Sequence, residues 1–341
     1  MERIITVDCG TTNMRCRLYE GEQILCEARR KVGTRNTAFD GHNGKLKEGL
    51  RECVEEILQK AGLHPEEVEA IVSSGTLSSD VGIYRVPHVA LPVGIEKSAS
   101  YAKMVTMPEI TSIPILFIPG EKSLPEAGET DDVRIVELVD SMSGEECEMY
   151  GLRALMGLEG PFAMTLPGSY NKSFEVDGNG VIRSMYTGMC GEFIAAMSEH
   201  TLLRHSLSDP VLQTLIPAKL IFGYEYAKTH GISPSIIKTR NVQLWHNWTR
   251  DEAANFFVGA ILADDIRNVL RIVRDDLPLI VGGGDPLRTV FATLLAHDLG
   301  AHRAGQTDLV GVKGAVAKNI ACQVGVGKRQ TTKACHGVVA A

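Results

Sequence analysis

The sequence lacks a long hydrophobic run and an export signal. Met1-Glu2-Arg3 lead directly into an apolar strand, without the basic and apolar regions of a signal peptide, and no later apolar run is long enough to span a bilayer. These absences argue against a membrane-spanning or exported protein, and we expect a cytoplasmic one.

The chain also lacks paired cysteines. Its eight cysteines stand at positions 9, 16, 26, 53, 147, 190, 322 and 335, and they form neither a Cys-x-x-Cys pair nor a Cys/His spacing that suits zinc. We therefore expect no zinc site, and we expect reduced thiols, as in the cytosol.

An excess of positive charge is missing as well. The 35 lysines and arginines are outnumbered by 42 aspartates and glutamates, which gives a net charge of −7 and a pI near 5.8. Such a chain repels the phosphates of nucleic acids and of anionic membrane surfaces. We expect small-molecule partners, with no nucleic acid and no membrane, while the sequence leaves the oligomeric state open, a homodimer included.

The length and composition are those of a two-domain α/β enzyme. A chain of 341 residues exceeds one simple core. Its 44% hydrophobic residues, 23% charged residues and 34 glycines are typical of a compact α/β protein. We predict an N-terminal domain of residues 1–157 and a C-terminal domain of residues 158–341.

The first half alternates strands and helices. Residues 4–8 form a predicted strand, and a hairpin follows from Met14 to about Ala28. Apolar residues at helical spacing predict a helix over 44–61 that stops at Gly62, before a buried strand over 69–73. The stretch from Glu121 to Asp132 reads as a surface excursion, and a further helix begins at Gly144.

The second half repeats this opening. A strand over 162–166 leads through the loop Gly168-Ser169-Tyr170-Asn171 into a hairpin whose Asn-Gly turn lies at 179–180. Aligning Gly10 with Gly168 places Thr11 on Ser169 and Asn13 on Asn171, always 158 positions apart. Helices are predicted over 191–204, 210–229 and 252–273, then a strand over 277–281 and a helix from Pro286. The duplication predicts two lobes of mixed sheets around a central nucleotide cleft.

Two glycine loops are candidate phosphate sites. In the first, Asp8 precedes Gly10, Thr11, Thr12 and Asn13, whose backbone N–H groups and hydroxyls suit phosphate oxygens, and Asp8 suits a metal-bound water. Taken alone, this motif is equally typical of an ordinary β-turn. The matching loop of Gly168, Ser169 and Asn171 favours phosphate binding, and Lys172 after it would offset charge that develops during phosphoryl transfer.

A candidate catalytic base follows the first half's last strand. Ser143 and Glu146 form a predicted capping box, which gives Glu146 a structural role. Glu145 then remains as a carboxylate that could accept a hydroxyl proton, although an acidic residue also suits a first helical turn.

A third glycine cluster is Gly282, Gly283 and Gly284, between a strand and a helix. It lets a planar group or ribose approach the backbone, or it is a plain strand-to-helix turn. The cluster is not Gly-x-Gly-x-x-Gly, and Gly325-Val326-Gly327-Lys328 lacks the remaining residues of a P-loop.

These motifs together resemble the 2-dehydro-3-deoxygalactonokinase family, relatives of the glycerol and xylulose kinases in the actin-like ATPase superfamily. The resemblance spans nearly the whole chain and rests on a set of segments: 7–15, Ser74-Gly75, 82–88, Gly144-Glu145-Glu146, Leu166-Pro167-Gly168, and Thr187 with Gly191-Glu192-Phe193. It implies two actin-like, ribonuclease H-like lobes. It also implies transfer of the ATP γ-phosphate to the 6-hydroxyl of 2-dehydro-3-deoxygalactonate with magnesium, and it puts Glu145 where related sugar kinases carry an aspartate.

The chain departs from the family pattern in two places. Ser143 stands where an arginine is usual, and Ser169-Tyr170-Asn171-Lys172 stands where Thr/Ser-His-Ser/Thr-Lys is usual. Tight binding of a sugar acid also requires a cationic side chain near its carboxylate. The candidates are Arg15, Lys31, Arg35 and Arg85. Each of them could also be a solvated surface residue. Two alternatives stay open: an actin-like kinase for another keto-deoxy sugar acid or polyol, and a non-catalytic nucleotide-binding module.

Overall fold

The structure is a computed structural model that describes residues 2–124, 135–274, 276–299 and 304–306. The chain forms two compact units, one of Met1–Gly160 with Asp177–Ser184 and one of Pro161–Val176 with Met185–Asp308. The motif at 325–328 and the tail at 328–341 lie outside the described residues. The division into functional domains after residue 157 stays a prediction.

The first unit is a mixed α/β structure. Its elements are β1 (Arg3–Cys9), β2 (Met14–Glu20), β3 (Gln23–Arg30), α1 (Thr34–Asp40), α2 (Gly44–Ala61), β4 (Ala70–Gly75), β5 (Val89–Ala90), α3 (Ile95–Tyr101), β6 (Lys103–Met107), β7 (Thr111–Phe117), β8 (Glu121–Ser123), α4 (Ile135–Leu138), β9 (Asp140–Met142) and α5 (Glu145–Met156). A six-stranded sheet runs in the order β3-β2-β1-β4-β7-β6, and β5, β8 and β9 form a smaller sheet. The predicted hairpin and the predicted helix over 44–61 are confirmed.

One face of the large sheet packs on α2. Alternate residues of β1, Ile5, Val7 and Cys9, share a buried cluster with Leu46 and Leu50 of α2. The helix ends at Gly62, whose φ of 63° is the left-handed conformation that closes a helix. Because side chains alternate along a strand, Asp8 lies on the other face of the sheet.

The second unit repeats the plan of the first. Its elements are β10 (Phe162–Leu166), β11 (Asn171–Val176), β12 (Ile182–Gly188), α6 (Cys190–His200), α7 (Pro217–His230), α8 (Ile232–Trp245), α9 (Arg250–Ile272), β13 (Leu279–Val281), α10 (Leu287–Leu299) and β14 (Ala304–Gln306), although the first three residues of β12 group with the first unit. Its sheet has the order β12-β11-β10-β13-β14. In both units the first strand therefore pairs antiparallel with the strand that follows it and parallel with a later strand, as the duplicated sequence predicted.

The second hairpin nevertheless turns one residue earlier than the repeat predicts. In the first hairpin Asp8 pairs with Arg15, whereas in the second Leu166 pairs with Lys172. With Gly10 aligned on Gly168, Lys172 takes the place of Arg15 and Asn171 that of Met14. The predicted equivalence of Asn13 and Asn171 is wrong, because the second loop is one residue shorter.

The helices of the second unit differ in part from the prediction. The helix expected from residue 210 begins at Pro217, and α8 was not predicted. Helices α7 and α9 approach closely at two glycines, since a Cβ at Gly223 would overlap the Phe256 carbonyl and one at Gly259 would overlap the Leu220 carbonyl. Across the described segments, no helix combines the length and apolar character needed to cross a bilayer.

Candidate functional site

The first glycine loop turns its carbonyl groups toward the start of α1. The Thr34 N–H donates to the Gly10 carbonyl at 3.2 Å, and the Arg35 N–H donates to the Thr11 carbonyl at 2.9 Å. The loop is closed by the Gly10 N–H, which donates to the Asn13 carbonyl at 3.0 Å. Because these carbonyl oxygens are directed at the N–H groups of α1, they are not directed at an anion bound on the loop. The loop therefore has the backbone orientation that a phosphate site needs.

Close packing fixes this loop from two sides. A Cβ at Gly33 would overlap the Thr11 carbonyl, and one at Gly75, whose φ is 90°, would overlap the Cys9 carbonyl. The Thr76 hydroxyl lies 3.0 Å from the Cys9 carbonyl oxygen and 3.2 Å from that of Gly10, to which it donates. Sequence reasoning missed the roles of Gly33 and Thr76, although a glycine just before a helix was a usable signal.

Asp8 has a serine and an arginine as its strand neighbours. It pairs with Ser74 on β4 and with Arg15 on β2, and directly paired residues share a face of the sheet. The Arg15 Nε lies 3.9 Å from the Glu27 carboxylate, and its side chain is about one-third exposed. The structure therefore brings Asp8, Arg15 and the first loop together at one end of the sheet.

The other candidate cations are more scattered. Arg35 is half-buried, and its backbone contacts the first loop. Lys31 is exposed just after β3, and Arg85 is exposed in the segment between β4 and β5. Among these four cations, Arg15 and Arg35 are the ones that the described backbone contacts place beside the loop.

The two glutamates at the start of α5 lie in different environments. Glu146 is almost fully buried, and its carboxylate accepts the Gly144 N–H at 2.8 Å, whereas half-buried Glu145 accepts the Ser143 N–H at 3.1 Å. The predicted Ser143 capping box is wrong. The N-cap is Gly144, whose φ of 112° favours glycine, and the Ser143 hydroxyl instead lies 3.0 Å from His88 Nε2.

Glu121 is a buried acid that the sequence reading placed on a surface excursion. It lies on β8 with no exposed surface, so the prediction is wrong at this residue, and residues 125–134 lie outside the described segments. Burial, and secondarily Glu146, raise the pKa of Glu121 well above its usual value. The Tyr150 hydroxyl lies 3.2 Å from both Glu121 Oε1 and the Val93 carbonyl. A protonated Glu121 can donate to Tyr150 while Tyr150 donates to Val93, so a neutral acid satisfies both contacts.

The second glycine loop lies between two glycines of its own unit. A Cβ at Gly191 would overlap the Gly168 carbonyl, and one at Gly283, whose φ is 81°, would lie 2.7 Å from the Pro167 carbonyl oxygen. The Glu192 N–H at the start of α6 donates to the Ser169 carbonyl at 2.9 Å. The structure thus brings the loop of Gly168 and Ser169 together with the turn of Gly282, Gly283 and Gly284.

The residues after this loop point in different directions. Lys172 Nζ donates to the Thr187 hydroxyl at 2.7 Å. The Asn171 side chain is fully buried: its Oδ1 accepts from the Thr165 hydroxyl at 2.8 Å and its Nδ2 donates to Asp265 at 3.5 Å. Asn171 therefore acts beneath the loop, and sequence reasoning missed its partner Asp265.

An acidic cluster elsewhere in the second unit already has a cation. The ligand atoms of Glu225, His297 and Asp298 lie within 4.8 Å of one another. Lys228 Nζ lies 3.1 Å from Glu225 and 3.2 Å from Asp298, so an ammonium group balances these carboxylates.

Comparison with known proteins identifies the family of this chain. The sequence model of the 2-keto-3-deoxy-galactonokinase family matches residues 8–317. A 2-dehydro-3-deoxygalactonokinase of Escherichia coli strain K12 is 25% identical over 273 residues, which cover 78% of this chain and 80% of the relative. A crystal structure of a protein from Sinorhizobium meliloti, provisionally named a 2-dehydro-3-deoxygalactonokinase, shares the fold with a TM-score of 0.72 at 19% identity, covering 94% of this chain and 96% of that one. The chain therefore belongs to the 2-keto-3-deoxy-galactonokinase family, and it is a sugar kinase that shares the fold of the Sinorhizobium meliloti structure.

Proposed function

We propose that this enzyme transfers the γ-phosphate of ATP to the 6-hydroxyl of 2-dehydro-3-deoxy-D-galactonate and releases the 6-phosphate and ADP. The family match and the Escherichia coli relative support this substrate. The observation that carries the proposal is the first glycine loop, whose carbonyls are bound to α1 and whose neighbour on β1 is Asp8. Together they offer a phosphate site and an adjacent carboxylate.

The residues at the end of β1 fit a magnesium ion. Mg²⁺ prefers oxygen ligands and usually retains several waters beside one or two carboxylates and substrate phosphates. Asp8 supplies a half-buried carboxylate near the end of β1, two residues before the loop that carries the Thr11 and Thr12 hydroxyls, and these oxygens form a donor set of this kind. Asp8 would hold the ion through water, and the bound ion would offset charge on the phosphates.

The chain's own groups account for the remaining steps. The 6-hydroxyl oxygen attacks the γ-phosphorus, the bond to the β-phosphate oxygen breaks, and Glu145 accepts the hydroxyl proton. Gly10, Thr11, Thr12 and Asn13 bind phosphate oxygens. We assign the same role to Gly168 and Ser169 in the second unit, with Lys172 supplying positive charge.

Other positions bind the rest of the two substrates. The turn of Gly282, Gly283 and Gly284 would let the adenosine approach the backbone, and a Cβ at Gly284 would meet no atom within 4 Å. Among the four candidate cations for the substrate carboxylate, Arg15 comes first because it pairs with Asp8 on the neighbouring strand. Arg35, Lys31 and Arg85 are the other candidates. We infer a cytoplasmic location, which the reduced thiols of Cys16, Cys26, Cys53 and Cys190 support.

Two alternatives keep the fold and change the function. Ser143 beside His88, and the inward-facing Asn171, favour a second candidate, a kinase for a related keto-deoxy sugar acid or a polyol. A nucleotide-binding module without catalysis is the third. Coupled ADP release with a panel of sugar acids separates them. We expect the highest kcat/KM with 2-dehydro-3-deoxy-D-galactonate; a higher value with another acceptor, or ATP binding without acceptor-stimulated turnover, would replace the proposal.

A further inference from the structure

Asp265 is a buried carboxylate in the second unit whose role the reaction above leaves unexplained. It projects from α9 and is 7% exposed. Its Oδ1 occupies the space that a Cβ at Gly188 would need, so the last residue of β12 has to be small for the carboxylate to fit. Its hydrogen-bond donor is the Asn171 amide at 3.5 Å, a long hydrogen bond.

Asn171 links Asp265 by hydrogen bonds to both ends of the second glycine loop. Asn171 begins β11 after the loop, and its Oδ1 accepts from the hydroxyl of Thr165, which lies on β10 before the loop. The Thr165 hydroxyl also contacts the Ser173 hydroxyl at 2.9 Å. The backbone carbonyl of Thr165 accepts the Gly282 N–H at 2.9 Å. One buried network thus connects α9, the base of the loop and the start of the glycine turn.

This arrangement is costly for the folded state. Burial first, and then the neighbouring Asp264, raise the pKa of Asp265 to about 6, while its hydrogen bond from Asn171 acts in the opposite direction. On α6, burial first and then the charge of Asp265 raise the pKa of the Cys190 thiol. At neutral pH the carboxylate is therefore ionised at the expense of stability, and groups held in this way are frequently retained for function.

We propose that Asp265 is a positioning residue of the nucleotide site: it orients Asn171, which fixes the loop at 167–170 against the turn at 282–284 and so sets the affinity for ATP. Asp265 acts through Asn171 and does not touch the nucleotide. The inference rests on the proposed ATP-dependent kinase function, because it assigns the second loop to ATP.

Three variants of the full chain test it. Asp265→Ala removes the acceptor for Asn171, Asp265→Asn keeps an acceptor oxygen without the charge, and Asp264→Asn removes the same charge from a half-exposed neighbour. The measurements are the Kd for ATP by calorimetry without sugar acid, kcat and KM for ATP, and the melting temperature from pH 5 to pH 8.

We expect Asp265→Ala to raise the Kd and KM for ATP by about 10-fold or more, the scale of a lost hydrogen bond to a buried charge, with a much smaller change in kcat. Asp265→Asn should restore most of the affinity at pH 7. It should also raise the melting temperature at pH 8 by about 3 °C or more, with a gain that shrinks toward pH 5. Asp264→Asn should leave the Kd and KM for ATP at their wild-type values, and it should change the melting temperature at pH 8 by less than Asp265→Asn does, because Asp264 is a smaller cause of the raised pKa of Asp265 than burial is.

A further variant keeps the test valid if Asp265→Ala does not fold. Gly188→Ala displaces the carboxylate by overlap and should weaken ATP binding by itself, in a chain that keeps Asp265. Where Asp265→Ala does fold, adding Gly188→Ala to it should cost much less ATP affinity than in the wild type. The inference is overturned if the wild type binds ATP and neither Asp265→Ala nor Gly188→Ala weakens that binding more than Asp264→Asn does. It is also overturned if Asp265→Asn lowers the melting temperature at pH 8. A wild type that binds no ATP would instead refute the proposed function, and the inference with it.

Discussion

At the scale of single residues, the acids of this chain fall into two environments. Asp8 and Glu145 are half-buried at the end of β1 and the start of α5, where a ligand can reach them. Glu121, Glu146 and Asp265 are buried, and burial raises the pKa values of Glu121 and Asp265. The first group suits metal binding and proton transfer, and the second suits support of the backbone nearby.

Glu145 gives the sharpest test of proton transfer. Glu145→Gln keeps the size of the side chain and its contact with the Ser143 N–H but removes the base. We expect kcat to fall by about 10²-fold or more while the Kd for ATP stays nearly unchanged. Glu148→Gln on the same helix is the matched control, and coupled ADP release measures both variants. Equal kcat values for Glu145→Gln and the wild type would remove Glu145 from this role.

Glu121 predicts a dependence of stability on pH. Its pKa in the folded state is raised, so the folded protein holds this proton more tightly than the unfolded chain does, and stability is lost as the pH rises through the range between the two pKa values. Glu121→Gln removes that loss. Its melting temperature should exceed that of the wild type by about 3 °C or more at pH 8, and by less at pH 5. A difference that is constant between pH 5 and pH 8 would show that Glu121 does not titrate in this way.

At the scale of elements, the regular patterns were predictable and the register was not. Helix α2 followed from apolar spacing with a terminal glycine, and both hairpins followed from alternating residues and turn signals. The shorter second loop could not be read from the sequence, because a polar Asn171 suits an exposed loop as well as a buried network. The same ambiguity concealed Glu121, whose partner Tyr150 lies on α5, far along the chain.

The extent of the helices was less predictable where local signals conflicted. Helix α8 carries Pro234 near its start, and proline is tolerated in a first turn but reads as a break in the sequence. The N-cap of α5 is Gly144, which has a positive φ. The three-residue spacing of Ser143 and Glu146 in the sequence suggested Ser143 instead and did not reveal this backbone conformation.

The contact between α1 and the first loop predicts the effect of one methyl group. Gly33→Ala would place a Cβ into the Thr11 carbonyl and the Thr12 N–H, so the loop must move. A displacement of this size in a binding loop should raise the Kd for ATP by about 10-fold or more. Gly44→Ala, whose Cβ would meet the flexible His42 ring, is the control. Calorimetric Kd values that agree for both variants would contradict the assignment of this loop to phosphate.

At the scale of the whole molecule, two units whose sheets correspond over five strands each carry one glycine loop at the corresponding hairpin. The family match covers both loops, since it spans residues 8–317. Duplication explains why the sequence favoured phosphate binding at these loops. Each loop alone resembles an ordinary β-turn, and the occurrence of a second copy favours a phosphate-binding role for both. The identity of the acceptor stays a prediction, and Ser143 stands where the resemblance to the family implies an arginine.

The most direct test follows the phosphorus atom. The enzyme is incubated with ATP, magnesium and 2-dehydro-3-deoxy-D-galactonate, and the products are analysed by phosphorus NMR. The account predicts ADP and a sugar-acid phosphate in equal amounts, with the phosphorus coupled to the protons on carbon 6. A product phosphorylated at another position, or free inorganic phosphate with the acid unchanged, would contradict it.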